Sequence, residues 1–272
     1  MTDARSDAQL SRDVAQEAGR LLLQIRRDFI AEHGSAPDKA TADRLRDAAD
    51  AASNDLILSR LHEARPQDAV LSEEAKDDAR RLSAERVWIV DPLDGTWEYG
   101  QNRVDFAVHI ALWSHGALHA CTVDLPAQGL TRSVLDEPRA VDLPSDRPIR
   151  IVASRSRPPA ALADVRSALE RLLADAGVTT LGVEIVDVGS VGAKVNEILS
   201  GRADAYLHDT GFYEWDVAAP YGVATHYGLT CSHLSGDPVT FNHMPPYVDD
   251  LMVSAPGLVG YLRTALAEAS AT

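Results

Sequence analysis

The stretch that most restricts what this chain can fold into is Val87-Trp88-Ile89-Val90-Asp91-Pro92-Leu93-Asp94-Gly95-Thr96. Its apolar, largely β-branched start reads as a buried strand. Pro92 has no N–H for a sheet ladder and Gly95 permits a tight bend, so the strand is expected to stop at Asp91. Two aspartates then stand at the strand's carboxyl end, where α/β folds gather ligands. Clustered carboxylate oxygens suit a hard divalent cation. Backbone N–H groups of Gly95 and Thr96 beside them suit phosphate oxygens. An isolated Asp-x-x-Asp is usually a solvated turn; the ordered string behind a buried strand is far more specific.

Composition sets the outer limits. The 272 residues can form one large domain or two compact halves, and 45% hydrophobic content supplies a core. With 26 basic against 41 acidic side chains the net charge is −15, which argues against binding a nucleic-acid polymer. An acidic protein can still receive phosphate where metal ions invert the local field. Cys121 and Cys231 imply no disulfide framework. Residues Met1 to Ser6 carry no apolar signal core and no run approaches membrane length, so a cytoplasmic enzyme without membrane attachment is expected.

Ser6 with Gln9 reads as a capping box opening a first helix, whose stripe is Val14, Ala18, Leu21, Leu22, Ile25 and Phe29. A loop from Glu32 to Lys39, containing Gly34 and Pro37, precedes a second helix. Its buried side is Leu45, Ala49, Ala52, Leu56 and Leu61, with Asp47, Asp50 and Asn54 on another face. Ala69-Val70-Leu71 is a short strand leading into Glu73-Glu74. Phe106, Val108, Ile110 and Leu112 alternate along a long strand; Leu118–Leu125 and Leu130–Leu135 follow as antiparallel candidates. His109 and His119 fall inside strands and read as satisfied core histidines rather than ligands. The proline-rich segment 138–148 looks like a join, dividing an α+β half, 1–145, from an α/β half, 146–272.

The second half alternates strand Ile149–Ala153, helix Pro158–Ala176, strand Val183–Val188, a helix opened by Gly189-Ser190 and ending at Leu199, and strand Ala203–Leu207. A Gly-Ser turn at a helix start can hold an anion, and Lys194 adds a point charge. Asp216 begins a helix ending near Gly228, with Trp215 expected to wedge its end into the core. Leu258–Ala269 is a last amphipathic helix. The pattern is α/β with mixed α+β character.

The Val-Asp-Pro-Leu-Asp-Gly-Thr string resembles the metal signature of the lithium-sensitive, magnesium-dependent phosphatases: inositol monophosphatases, fructose-1,6-bisphosphatases and 3'(2'),5'-bisphosphate nucleotidases. Ser72-Glu73-Glu74 and Glu214-Trp215-Asp216-Val217-Ala218-Ala219-Pro220 resemble the family's other two motifs, in the same order and spacing. Lys194 and Ala203-Asp204-Ala205-Tyr206 look most like the bacterial bisphosphate nucleotidase branch. The resemblance implies a layered αβαβα sandwich with the site between its halves, a small phosphorylated substrate and two or three Mg²⁺; a homodimer is the family's habit. By the same comparison Glu73, Asp91 and the Leu93 carbonyl serve one ion, and Asp91, Asp94 and Asp216 another. Thr96, hydrogen-bonded to an aspartate of the second helix, accepts the proton of the attacking water, with Glu74 assisting. Alignment from Asn54-Asp55-Leu56 picks Asp50 for that partner, and Asp47 stays open.

For the substrate, the comparison points to Gly95, Thr96, Ser190, Gly192 and Lys194. Ser154, Arg155 and Lys194 are candidates for a second phosphate, and Asp209 for a sugar hydroxyl. 3'-Phosphoadenosine 5'-phosphate is the expected substrate. Trp97-Glu98-Tyr99 departs from the nucleotidase pattern, which places Lys or Arg at the first of these positions. That keeps inositol phosphate, fructose 1,6-bisphosphate or a specialised nucleotide or sugar phosphate as alternatives. The haloacid-dehalogenase phosphatases also put aspartates after a strand and use the first as nucleophile. They separate the pair by one residue, not two, and leave Glu73 and Trp215-Asp216 unexplained. A non-catalytic metal module on the same fold would not need Thr96, and a phosphate-release assay separates it from an enzyme.

Overall fold

Ser6 opens the first helix as expected, its hydroxyl accepting the Gln9 N–H at 3.1 Å, but the capping box is half formed: the Gln9 amide turns to Asp13 instead. The computed structural model describes residues 5–34, 38–155 and 157–270. Residues 1–4, with the start read for a signal, and the Pro37 loop position lie outside the described residues. Helices α1 (Asp7–His33) and α2 (Lys39–Ala64) pack side by side. Leu10, Val14, Ala18 and Leu22 of α1 and Leu45, Ala49, Ile57 and Leu61 of α2 are buried, while Leu21, Ile25, Phe29, Ala52 and Leu56 are half-buried.

These helices cover a five-stranded sheet built from β1 (Ala69–Ser72), β2 (Arg86–Asp94), β3 (Ala107–Ser114), β4 (Ala117–Leu125) and β5 (Leu130–Ser133), in that order. The first pair is parallel and the rest are antiparallel. Between β2 and β3 lies a single-turn helix, α3 (Thr96–Gly100). Alternation along β3 feeds two cores. Val108, Ile110 and Leu112 meet the α1/α2 side, and Ala107 and Ala111 the opposite side. Strand β2 continues past the expected stop at Asp91. Asp91 pairs with His109 and Asp94 with Ala107, so β2 carries one extra residue between them. This bulge tolerates Pro92 within a strand, where the missing N–H would otherwise break the ladder.

The second sheet holds β6 (Ile149–Ser154), β7 (Val183–Val188), β8 (Ala205–His208), β10 (Thr230–Ser232) and β12 (Leu251–Ser254), ordered β10-β12-β8-β6-β7. β6 runs parallel to β7 and β8, and β12 is antiparallel to β8 and β10. A two-stranded ribbon pairs β9 (Phe212–Tyr213) with β11 (Tyr247–Val248). Helix α4 (Leu162–Asp175) starts later than Pro158 because a residue preceding proline, here Pro158 before Pro159, is pushed away from helical geometry. Helices α5 (Val191–Leu199) and α6 (Glu214–His226) lie between the sheets, while α4 and α7 (Val259–Ser270) cover the far face. The layers are therefore α, β, α, β, α. Both cysteines are free, and among the described residues no helix is long and apolar enough to cross a membrane.

Candidate active site

The bulge in β2 brings Asp91 and Asp94 to one end of the first sheet. A side-chain hydrogen bond from Ser53 to the Pro92 carbonyl ties it to α2, and the Leu93 N–H donates to Asp91. Asp216, in the first turn of α6, has a carboxylate oxygen accepting the Tyr213 N–H at 2.8 Å. Carboxylate oxygens of Asp91, Asp94 and Asp216 all lie within 4.8 Å of one another. Such crowding is costly for bare charges. Burial first, then Glu73, Asp94 and Asp216, pushes Asp91 well above the carboxylate range. Burial and the charge of Asp94 raise Asp216 to about 8. Converging hard oxygen donors, with Asp91 and Asp216 pushed toward neutrality, fit a divalent cation.

Glu73 and Glu74 follow β1 at the same end, held by the Glu73 N–H donating to the Val90 carbonyl. Both side chains are exposed, yet the Glu73 carboxyl faces the cluster and is raised to about 7 by burial of that head and by Asp94 and Glu74, although its approach to Asp91 acts the other way. The structure separates the two candidates on α2: Asp47 is exposed and Asp50 is buried. Asp50 is raised to about 8 by burial, Glu73 and Glu74. Its expected bond to Thr96 is absent: among the described residues no hydrogen bond joins the two, and Asp50 Oδ1 has no partner.

A cavity of 240 Å³ opens beside Asp94 and Asp216, where the carboxyl ends of β6, β7 and β8 converge. Gly95, Thr96, Trp97 and Glu98 form one wall and Ser154, Arg155 and Arg157 another, with Ser190, Lys194, Tyr206, His208 and Phe212 among the rest. Gly95 precedes α3 with φ of +87°, a conformation glycine adopts without strain. Ser190 caps α5 by accepting the Ala193 N–H. Asp105 locks that turn to the first sheet by accepting the Gly189 N–H at 3.0 Å, while its own carbonyl accepts from Ser190. Burial opposes the charge of Asp105, but Arg103 and the Gly189 amide outweigh it and hold its pKa below the usual range.

Several expected contacts sit differently. Gly192 does not line the cavity; its N–H donates to Asp94 at 3.2 Å, and a Cβ there would fall 2.4 Å from His109 Nε2. Asp209 is exposed and accepts the Ala160 N–H, away from the cavity. Lys194 is buried and donates to the Gly189 carbonyl of its own turn. Burial lowers its pKa against the pull of Asp94, Glu98 and Asp216. Arg155 is paired with Glu98 at 3.1 Å and Asp105 at 3.4 Å. Arg157 lines the same wall, exposed, with no side-chain hydrogen bond or ion pair among the described residues.

Sequence reading missed Arg157, although a second arginine two residues after Arg155 at a strand end was a visible signal. His109 is no satisfied core histidine: it is fully buried and both ring nitrogens lack a hydrogen-bond partner. His119 instead donates its Nε2–H to the Ser114 carbonyl on an exposed strand start. Trp215, half-buried, packs against the core as expected and stacks on Tyr213, while Glu214 beside it is fully enclosed and accepts the Asn242 and His243 N–H groups.

Comparison with known proteins agrees with this arrangement. Residues 3–266 match the model of the inositol monophosphatase family. The chain is 41% identical over 274 residues to a 3'-phosphoadenosine 5'-phosphate phosphatase of Mycobacterium leprae, an alignment covering 95% of this chain and 94% of that one. Identity to the 3'(2'),5'-bisphosphate nucleotidase CysQ of Escherichia coli is 28% over 243 residues, covering 84% and 91%. In fold it is similar to inositol monophosphatase II of Staphylococcus aureus, with a TM-score of 0.72 at 19% identity and coverage of 94% and 93%.

Proposed function

Because this chain belongs to the inositol monophosphatase family, we propose that it is a metal-dependent phosphomonoesterase that releases the 3'-phosphate of 3'-phosphoadenosine 5'-phosphate. The observation that carries the reading is the joint presence of the Asp91, Asp94 and Asp216 cluster and a cation-bearing cavity beside it. Identity of 41% to phosphatases named for that nucleotide supports the substrate.

Asp91, Asp94 and Asp216, joined by Glu73 and the Leu93 carbonyl, would hold two or three Mg²⁺. Bound there, the ions supply neutralisation of the carboxylates, activation of a water and stabilisation of the leaving oxygen. Thr96 and the backbone amides at Gly95 and Thr96 orient the phosphate, and the Thr96 hydroxyl would take the proton of the attacking water as its own proton passes on to a carboxylate of the site, Asp50 or Glu74. Asp50, close to Glu73 and Glu74, serves as the buried acid behind that wall. Ser190 holds the Gly189 turn against the cavity, and Arg157, assisted by Arg155 and Ser154, meets the spectator phosphate. No side chain is covalently phosphorylated.

The test is phosphate release from 3'-phosphoadenosine 5'-phosphate, AMP, fructose 1,6-bisphosphate and inositol 1-phosphate, with Mg²⁺ and with EDTA. The nucleotide should be preferred and EDTA should stop turnover. If inositol 1-phosphate wins by more than about tenfold, a margin of roughly 1.4 kcal/mol, the nucleotidase assignment is wrong.

A further inference from the structure

Four tryptophans occur in this chain, and one stands apart. The indole N–H of Trp88 donates to Asp68, the ring of Trp215 stacks on Tyr213, and Trp113 packs half-buried against the core. Trp97 is 50% exposed, and among the described residues it has neither a ring partner nor an indole hydrogen bond. Single exposed apolar side chains are ordinary on protein surfaces. Trp97 differs because it lines the cavity next to Thr96, where the other aromatic walls, Tyr206 and Phe212, are buried.

Its place is fixed by what surrounds it. In α3 the Tyr99 N–H donates to the Gly95 carbonyl and the Gln101 N–H to that of Trp97. The Tyr99 hydroxyl anchors this turn to the Leu22 carbonyl of α1. The next residue, Glu98, is held by Arg155. The indole therefore stands on a rigid turn, one residue beyond the Asp94-Gly95-Thr96 end of the site.

The cavity's charges and its one open aromatic face are also separated. Lys194, Arg155 and Arg157 lie on the β6–β7–α5 side, and Trp97 on the α3 side. A ligand with one phosphate at the carboxylate cluster and the other near those charges leaves its uncharged part to the mouth. A flat heterocycle gains from a free indole face there, because base–aromatic stacking needs only two π surfaces. A cyclitol or sugar would need hydroxyl partners instead, and the adjacent carboxylate, Glu98, is already engaged by Arg155.

We infer that Trp97 is the base-stacking wall of the substrate site, taking the purine of a nucleoside bisphosphate. This rests on the nucleotidase reading and deepens it. It also gives a role to a position where resemblance led one to expect a cation: the bulk is kept, and recognition moves from charge to stacking.

The experiment compares inhibition by AMP with inhibition by ribose 5-phosphate in the full-length enzyme and in Trp97→Ala and Trp97→Phe. AMP should bind the wild type more tightly. The ratio of the two inhibition constants should drop about 5- to 150-fold in Trp97→Ala and much less in Trp97→Phe. In parallel, AMP should quench tryptophan emission in the wild type, and Trp97→Phe should remove that quench. Thermal melting checks that both variants are folded, as expected for a rim side chain. Equal binding of AMP and ribose 5-phosphate by the wild type, or an unchanged ratio in Trp97→Ala, overturns the inference. If the wild type turns over no 3'-phosphoadenosine 5'-phosphate yet shows the Trp97-dependent quench, the nucleotidase reading falls and the stacking site stands.

Discussion

His109 Nε2 lies 3.3 Å from Oδ2 of Asp94, on an imidazole that no solvent reaches. The same Asp94 oxygen accepts the Gly192 N–H, so one buried carboxylate is approached from β3 and from α5 at once. Burial lowers the His109 pKa although Asp94 works the other way, which keeps the ring neutral and able to offer one N–H. Nε2 faces the Asp94 carboxylate without forming a hydrogen bond to it, so the ring backs Asp94 by close contact and dipole. Replacing His109 by Phe keeps most of the volume and removes that N–H. Groups that orient metal ligands typically account for about 10- to 100-fold in metal affinity or activity. Half-maximal activity in His109→Phe should therefore require correspondingly more Mg²⁺, with a near-normal circular dichroism spectrum. An unchanged Mg²⁺ requirement would reduce His109 to a space-filling role.

Asp94→Asn should abolish Mg²⁺-dependent phosphate release while leaving the fold, because Asp94 contributes charge to the cluster rather than core packing. Trapping of labelled phosphate on Asp91 in the wild type would instead favour a phospho-aspartyl route.

The metal-free protein should lose stability as pH rises. Burial and neighbouring carboxylates raise Glu73 to about 7 and Asp50 and Asp216 to about 8. An acid with a raised folded pKa contributes stability that is fully present below its unfolded pKa, near 4, and is lost as pH climbs through the folded value. Thermal melts in EDTA should thus fall between about pH 5 and about pH 9, and saturating Mg²⁺ should flatten that fall. Parallel pH profiles with and without Mg²⁺ would argue against a cation in this cluster.

The cationic wall makes a further distinction. Lys194 is buried and donates to its own turn, whereas Arg157 is exposed and unpaired among the described residues. A charge-assisted phosphate contact is worth roughly 1.5–3 kcal/mol. Arg157→Ala should lower kcat/KM for the bisphosphate about 10- to 150-fold and affect a monophosphate little. Lys194→Met should damage both, since it loosens the Gly189-Ser190 turn. A larger selective loss in Lys194→Met than in Arg157→Ala would restore Lys194 as the phosphate contact.

The sequence made the chemistry of this site legible because local strings carry it. Asp91, Asp94 and Thr96 stand at the end of one strand, and the elements from α1 to β8, with the last helix, α7, largely followed apolar periodicity, whereas β9 to β12 were not read. What escaped depends on register and on distant partners. No pattern near Pro92 announces the bulge that lets β2 run on to Asp94. Asp105 carries no local signal, yet it clasps the turn at Gly189, far along the chain. His109 sat in a good strand pattern, and only the packing of Gly192 against it reveals its place behind Asp94. Asp50 and Asp47 were separable only by burial, which depends on which face of α2 meets β2.

Glu214 offers the clearest test of how the distant loop supports the cluster. Its side chain is 0% exposed, and its two carboxylate oxygens accept the N–H groups of Asn242 at 2.7 Å and His243 at 2.9 Å. Arg81 reaches the same loop through the Asn242 side chain and the His243 carbonyl. The first residue of α6 is therefore clamped to the 242–243 backbone, and Asp216 stands two positions further on the same helix turn. In Glu214→Gln one acceptor oxygen becomes an amide NH₂, so one buried backbone N–H meets a donor. An unsatisfied buried donor costs about 1–3 kcal/mol. For a chain of this size that corresponds to a Tm lower by roughly 2–12 °C. The first turn of α6 should also hold Asp216 less firmly, so the Mg²⁺ needed for half-maximal activity should rise at temperatures where the variant is fully folded. Wild-type melting and an unaltered Mg²⁺ requirement in Glu214→Gln would show that the clamp does not support the metal cluster.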